Sequence, residues 1–156
     1  MSALLSVRGL TKHFPIKKGV FGRAAGFVRA VDGVSFDVMA GETLGLVGES
    51  GCGKSTTGRM ILRLIEPTAG TVEFDGVNLV ALDSKSMRKL RRKIQVMFQD
   101  PFSSLNPRMT VGAIIREGLT IHKIAEGAAA DARVRQLLDE VGLRAEYMSR
   151  YPHEFS

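Results

Sequence analysis

The chain has 156 residues, 44% of them hydrophobic and 24% charged, a composition sized for one ordinary globular domain that excludes intrinsic disorder. Its formal charge of +6 suits anionic partners such as nucleotides, nucleic acid or a lipid surface, but bears on association rather than on fold. No apolar run approaches the ~20 residues of a bilayer span, the start MSALLSVRGL lacks the basic head and long apolar stretch of a signal peptide, and the single cysteine excludes an internal disulfide; a soluble, non-secreted chain is expected.

In chain order, residues 4–7 read as a first strand and residues 15–27, with their glycines and basic residues, as an exposed loop. Val34, Phe36 and Val38 alternate with Ser35 and Asp37, which predicts a half-buried strand. After a turn at Gly41, the apolar run 43–47 reads as a buried strand that leads into GESGCGKST. A helix from Lys54 carries Met60, Ile61, Leu64 and Ile65 and is expected to end before Pro67. Residues 71–74, the turn Asp75-Gly76 and residues 77–80 predict an antiparallel hairpin.

Asp83 and Ser84 are suitable caps for a following helix whose cations, Lys85 to Lys93, crowd toward its C-terminal end. Its apolar residues Met87 and Leu90 would face inward, so the basic run reads as a solvated face, and no nucleic-acid partner is expected. Residues 94–98 read as a further strand, followed by a polar, proline-bounded linker over 100–108. Thr110 is positioned to cap a helix with Val111, Ile114, Ile115 and Leu119 on one face. Ala130, Val134, Leu137, Leu138 and Val141 follow helical spacing, with Gly142 placed as the stop. His13, His122 and His153 show no metal-ligand spacing.

The stretch Gly48 to Thr56 fits G-x-x-x-x-G-K-[ST] and lies between a predicted strand and a predicted helix, the context that this motif requires. Gly48, Gly51 and Gly53 allow backbone N–H groups to curl around an anion. Lys54 adds a positive charge for the outer phosphates, Ser55 a hydroxyl for magnesium, and the helix the positive end of its dipole. The expected ligand is a nucleoside triphosphate with Mg2+. The motif alone leaves kinases, GTPases and other ATPases open, although no N-K-x-D motif for guanine is present.

The run VMFQDPFSSLNPRMTVG, together with HFPIKKG and AVDGVSFDVMAGETLGLVGESGCGKST, resembles the ATP-binding subunits of ABC transporters, specifically the oligopeptide and dipeptide importers and more the F-type than the D-type subunit. The resemblance implies an α/β P-loop NTPase fold with a mixed sheet core, an antiparallel β subdomain and a partial helical subdomain. The core and β subdomain would occupy residues 1–99, and the linker and helical part residues 100–156. It further implies that Gln99 reaches magnesium and the attacking water and couples the site to the membrane subunits. Phe14 falls where the family stacks adenine, with an ordinary core phenylalanine as an equal alternative. Gly48, Glu49, Ser50, Gly51, Cys52, Gly53, Lys54, Ser55 and Thr56 would hold the nucleotide, and Ser55 and Gln99 the metal.

The implied partners are membrane-spanning permease subunits, a second ATP-binding subunit in a head-to-tail dimer and, indirectly, an extracytoplasmic solute-binding protein. The implied location is peripheral, on the cytoplasmic face of the inner membrane. Phe155 and Ser156 look like the start of the family's glycine-rich signature. The signature's remainder, the acidic residues that serve metal and water, and further strands of the central sheet are expected beyond residue 156. The span alone is therefore expected to be a weak nucleotide binder, deficient in hydrolysis and prone to aggregate. A non-hydrolysing nucleotide-binding fragment, or an importer subunit for another solute such as nickel, stays open.

Overall fold

The computed structural model describes residues 3–18, 23–101 and 104–155, without side chains for residues 17–25. The chain divides into two units, Met1–Leu90 and Arg91–Ser156.

The first unit is built on a four-stranded antiparallel sheet of order β2-β1-β3-β4. Its strands are β1 (Leu5–Lys18), β2 (Arg23–Val38), β3 (Ala69–Phe74) and β4 (Val77–Asn78). β1 pairs with β2 from Leu5↔Val38 out to Lys18↔Arg23, and with β3 through Val7↔Val72. Val7, Leu10 and Val72 are fully buried, with Val31, Met60, Leu79 and Met87 nearly so. On β2 the expected alternation holds: Val34, Phe36 and Val38 are half-buried while Ser35 and Asp37 face solvent. Helix α1 (Lys54–Ile61) packs against β1 and β2, and the short helix α2 (Ser84–Leu90) follows β4. α2 is capped as expected: Asp83 Oδ1 accepts from the Ser86 N–H at 2.9 Å, and Met87 turns inward.

Several expectations are corrected here. Of the predicted loop 15–27, residues 15–18 and 23–27 continue the β1–β2 hairpin, with Pro15↔Phe27 and Ile16↔Gly26 in register, because an extended polar-apolar stretch facing another satisfies its backbone by pairing, while residues 19–22 lie outside the described residues. α1 stops four residues short of Ile65, since Arg63 adopts φ 50 and leaves the helical region. That break is secured by the Arg63 guanidinium, which donates to Glu66 Oε1 at 2.9 Å and to the carbonyls of Leu79 and Leu82. The return strand spans two residues rather than four.

Two predicted strands do not form. Residues 43–47 and 94–98 carry no strand pairing, and Val47 and Met97 are each 88% exposed. A β-strand is a pairing, not a local state, and neither run belongs to the described sheet.

The second unit is a helical hairpin, α3 (Val111–Ile121) and α4 (Gly127–Glu140), closed by 3-10 turns at Ala145–Ser149 and Pro152–Glu154. Thr110 caps α3 by accepting from the Ala113 N–H at 3.3 Å. Leu119, Ala130, Val134 and Leu138 form the core, with Val111, Ile115, Leu143 and Met148 packed on it. An Arg116–Asp131 ion pair joins the two helices. Gly112 lets the turn approach α3: a Cβ there would stand 2.8 Å from the Met148 carbonyl oxygen. Val141 does not join this core. It follows the last helical residue and is 69% exposed, and the turn at Gly142 sends Leu143 inward instead, with the Leu143 N–H donating to the Leu138 carbonyl at 2.8 Å.

Candidate functional site

The motif glycines and Lys54 form one continuous loop that runs into α1. Gly53 caps the helix at φ 98, in the left-handed region, and supplies no side-chain cap, so the first-turn N–H groups of α1 have no capping side chain. No acidic residue stands in that turn to repel an anion. A Cβ on Gly53 would meet the Ala30 carbonyl oxygen at 2.3 Å, so this glycine is what lets the loop lie directly on β2. The Lys54 ammonium donates to the carbonyls of Gly48 (2.7 Å) and Glu49 (2.6 Å), drawing the loop into a curl. Its third neighbour is Cys52 Sγ at 3.6 Å. Sulfur is a weak acceptor, so a phosphate oxygen could take that place at little cost.

A cavity of about 360 Å³ adjoins the loop, lined by Arg29–Asp32 and Val34 of β2, by Leu46 and Val47, and by Cys52, Gly53, Lys54 and Thr57. Thr57 was missed by motif reasoning. It is nearly buried, and its hydroxyl donates to the Gly53 carbonyl at 3.0 Å, locking the loop to the first turn of α1. A threonine three residues after the motif lysine carries no distinctive signal, and the β2 wall carries none at all, because both are recruited by packing.

Glu49, Ser50, Gly51, Cys52 and Ser55 are exposed, while Thr56 is half-buried. Phe14 lies on β1, 38% exposed, beside Val28. It is not part of the cavity wall, but Val28 directly precedes Arg29, where that wall begins. Gln99 belongs to the second unit and is exposed, on a stretch without strand pairing. Phe102 and Ser103 of the QDPFSSLNP run, and Ser156, lie outside the described residues. His13 Nε2 lies 3.2 Å from Asp32 Oδ1, and among the described residues no group of three or more His, Cys, Asp or Glu is placed to hold a metal.

A larger cavity, about 660 Å³, shares no residue with the loop. It is lined by Arg8, Asp37, Glu73 and Asp75, an acidic balance unsuited to phosphate. Arg8 Nη2 donates to Asp37 Oδ2 at 2.6 Å, and this hydrogen bond holds the Asp37 carboxyl below the usual carboxylate range while raising the guanidinium. The smaller cavity adjoins the Lys54 ammonium and the start of α1, which has no side-chain cap, features that favour an anion.

The ABC transporter family profile matches residues 31–156. The chain is 53% identical over 153 residues to a glutathione import ATP-binding protein, GsiA, of Salmonella paratyphi A, covering 98% of this chain and 25% of that protein. It is 49% identical over 154 residues to the oligopeptide transport ATP-binding protein AppF of Bacillus subtilis, covering 98% of this chain and 47% of that one. The chain thus spans from a quarter to about half the length of these relatives. Among solved structures, the dimeric ATP-binding cassette MJ0796 bound to ADP and Pi superposes with a TM-score of 0.76 at 25% identity, over 97% of this chain and 63% of that one. With a family match over most of its length and a cassette fold built around a curled phosphate loop, the chain belongs to the ABC transporter ATP-binding family.

Proposed function

We propose that the intact protein is the ATP-binding subunit of an ABC importer for small peptides, and that residues 48–56 hold the triphosphate of ATP. The observation that carries this reading is the phosphate loop: the start of α1 without a side-chain cap, a glycine seated on β2, and the Lys54 ammonium at the loop's mouth. Relatives named for glutathione and oligopeptide import support the solute class. Among the described residues no helix is long and apolar enough to cross a membrane, which agrees with a peripheral subunit that borrows its membrane path from permease partners.

In this reading the loop amides and Lys54 bind the outer phosphates, and the exposed Ser55 hydroxyl is available to magnesium, which when bound offsets charge on those phosphates. Gln99, an uncharged amide able to ligate a cation and accept from water, would link the site to permease subunits. Phe14 would take the adenine. A second ATP-binding subunit, packed head to tail, would complete each site.

Lys54→Ala removes a charge-assisted contact and should weaken Mg-ATP binding by about tenfold to a hundredfold in calorimetry on the intact protein. Unchanged affinity in that variant would refute the assignment of the loop.

A further inference from the structure

Lys12, Phe14 and Ile16 alternate along β1 and so share one face, with Val28 opposite Phe14 and Gly26 opposite Ile16 on β2. Phe14, Ile16 and Val28 are 38%, 45% and 53% exposed and form an apolar platform at the strand end that leads into the wall of the phosphate-loop cavity. Gly26 keeps that platform low: a Cβ there would contact only Ile16 Cδ1, at 3.8 Å. A cation stands on the platform. The Lys12 ammonium lies 5.1 Å from the Phe14 ring centroid and is held there by a 2.6 Å hydrogen bond to the Glu66 carbonyl, beyond the end of α1.

We propose that Lys12 is a positioning residue for the base of the bound nucleotide, an inference that rests on the reading of Phe14 as the adenine platform. The tethered ammonium stands over one face of the Phe14 ring, which is 38% exposed, so the proposed base takes the other face. It holds the ring in one orientation before binding, so less freedom is lost when a base arrives. It also draws π-density toward itself, which makes the open face a better partner for an electron-rich purine. Because Glu66 follows α1 and Lys54 opens it, the same helix carries the phosphate grip at one end and the carbonyl anchor for Lys12 just past the other.

The test compares Mg-ATP with inorganic tripolyphosphate, which has the phosphates and no base, by calorimetry on the intact protein. Lys12→Gln should weaken ATP about threefold and leave tripolyphosphate unchanged, and Lys12→Arg, which keeps a cation over the ring, should restore ATP. Phe14→Ala should likewise weaken ATP alone. Tripolyphosphate binding reports an intact loop in every variant. If Lys12→Gln weakens both ligands equally, or neither, Lys12 acts on the phosphates or the fold and the proposal is overturned. A selective loss in Phe14→Ala without one in Lys12→Gln sinks the role of Lys12 alone, whereas an unaltered ATP preference in Phe14→Ala removes the platform reading and this inference with it.

Discussion

Val72 on β3 and Val47 before the phosphate loop are the same residue type in runs that both read as strands, yet one is fully buried and the other is 88% exposed. Val72 lies opposite Val7 in a ladder and receives the Leu79 N–H at its carbonyl, 2.8 Å away. Val47 joins no ladder among the described residues. The same contrast separates the helical core, where Leu138 and Val134 interlock, from Met97 in the second unit. Burial of an apolar run is a property of its neighbours, and the strand signal in sequence reports only a capacity to pair.

The largest expected effect of breaking this contrast is at its buried side. Val72→Ala removes two methyl groups from a closed site and should destabilise the sheet by roughly 2 kcal/mol, read as faster hydrogen exchange at the Leu79 amide. A change near zero would mean that the β1–β3 interface is loose. At the bare side, Val47→Ser and Met97→Ser should shift the stability of this chain by less than about 0.5 kcal/mol, with fast amide exchange over residues 44–47. Losses as large as that of Val72→Ala would show both runs sheltered in solution.

A pH-dependent effect concerns α2, held at its start by polar contacts. The Ser86 side chain, then the Ser86 backbone N–H, hold the Asp83 carboxyl below the usual carboxylate range. A depressed folded value means that the cap is fully present above the unfolded carboxylate pKa of ~3.9 and is lost as pH falls through the lower folded value. The stability difference between wild type and Asp83→Ala should therefore persist at neutral pH and vanish in acid. A difference that does not vary with pH would rule out the charged cap.

Local signals were legible where the deciding interactions lie close in sequence. Thr110 and Asp83 each bond an amide three residues on, and Ala130, Val134 and Leu138 share a face by helical period alone. The phosphate loop was legible for the same reason, its glycines and lysine being contiguous. Residues 15–18 and 23–27 differ from the loop their glycines and charges suggest, because such residues are turn signals only when no partner strand is available, and here each flank has the other. Thr57 and the β2 wall at Ala30 were invisible, since no spacing in sequence records a contact made across the fold.

The family and the starts of α2 and α3 were thus legible in the sequence itself, because their signals lie in short contiguous stretches. The tertiary structure alone decided which apolar runs become strands, that Gly53 must lie bare against the Ala30 carbonyl, that Val141 yields its place to Leu143, and that the Lys12 ammonium rests over Phe14. The reason is physical: hydrogen-bond pairing and close packing are satisfied by whichever groups the folded chain brings within a few ångströms, and that set cannot be read from neighbours along the backbone.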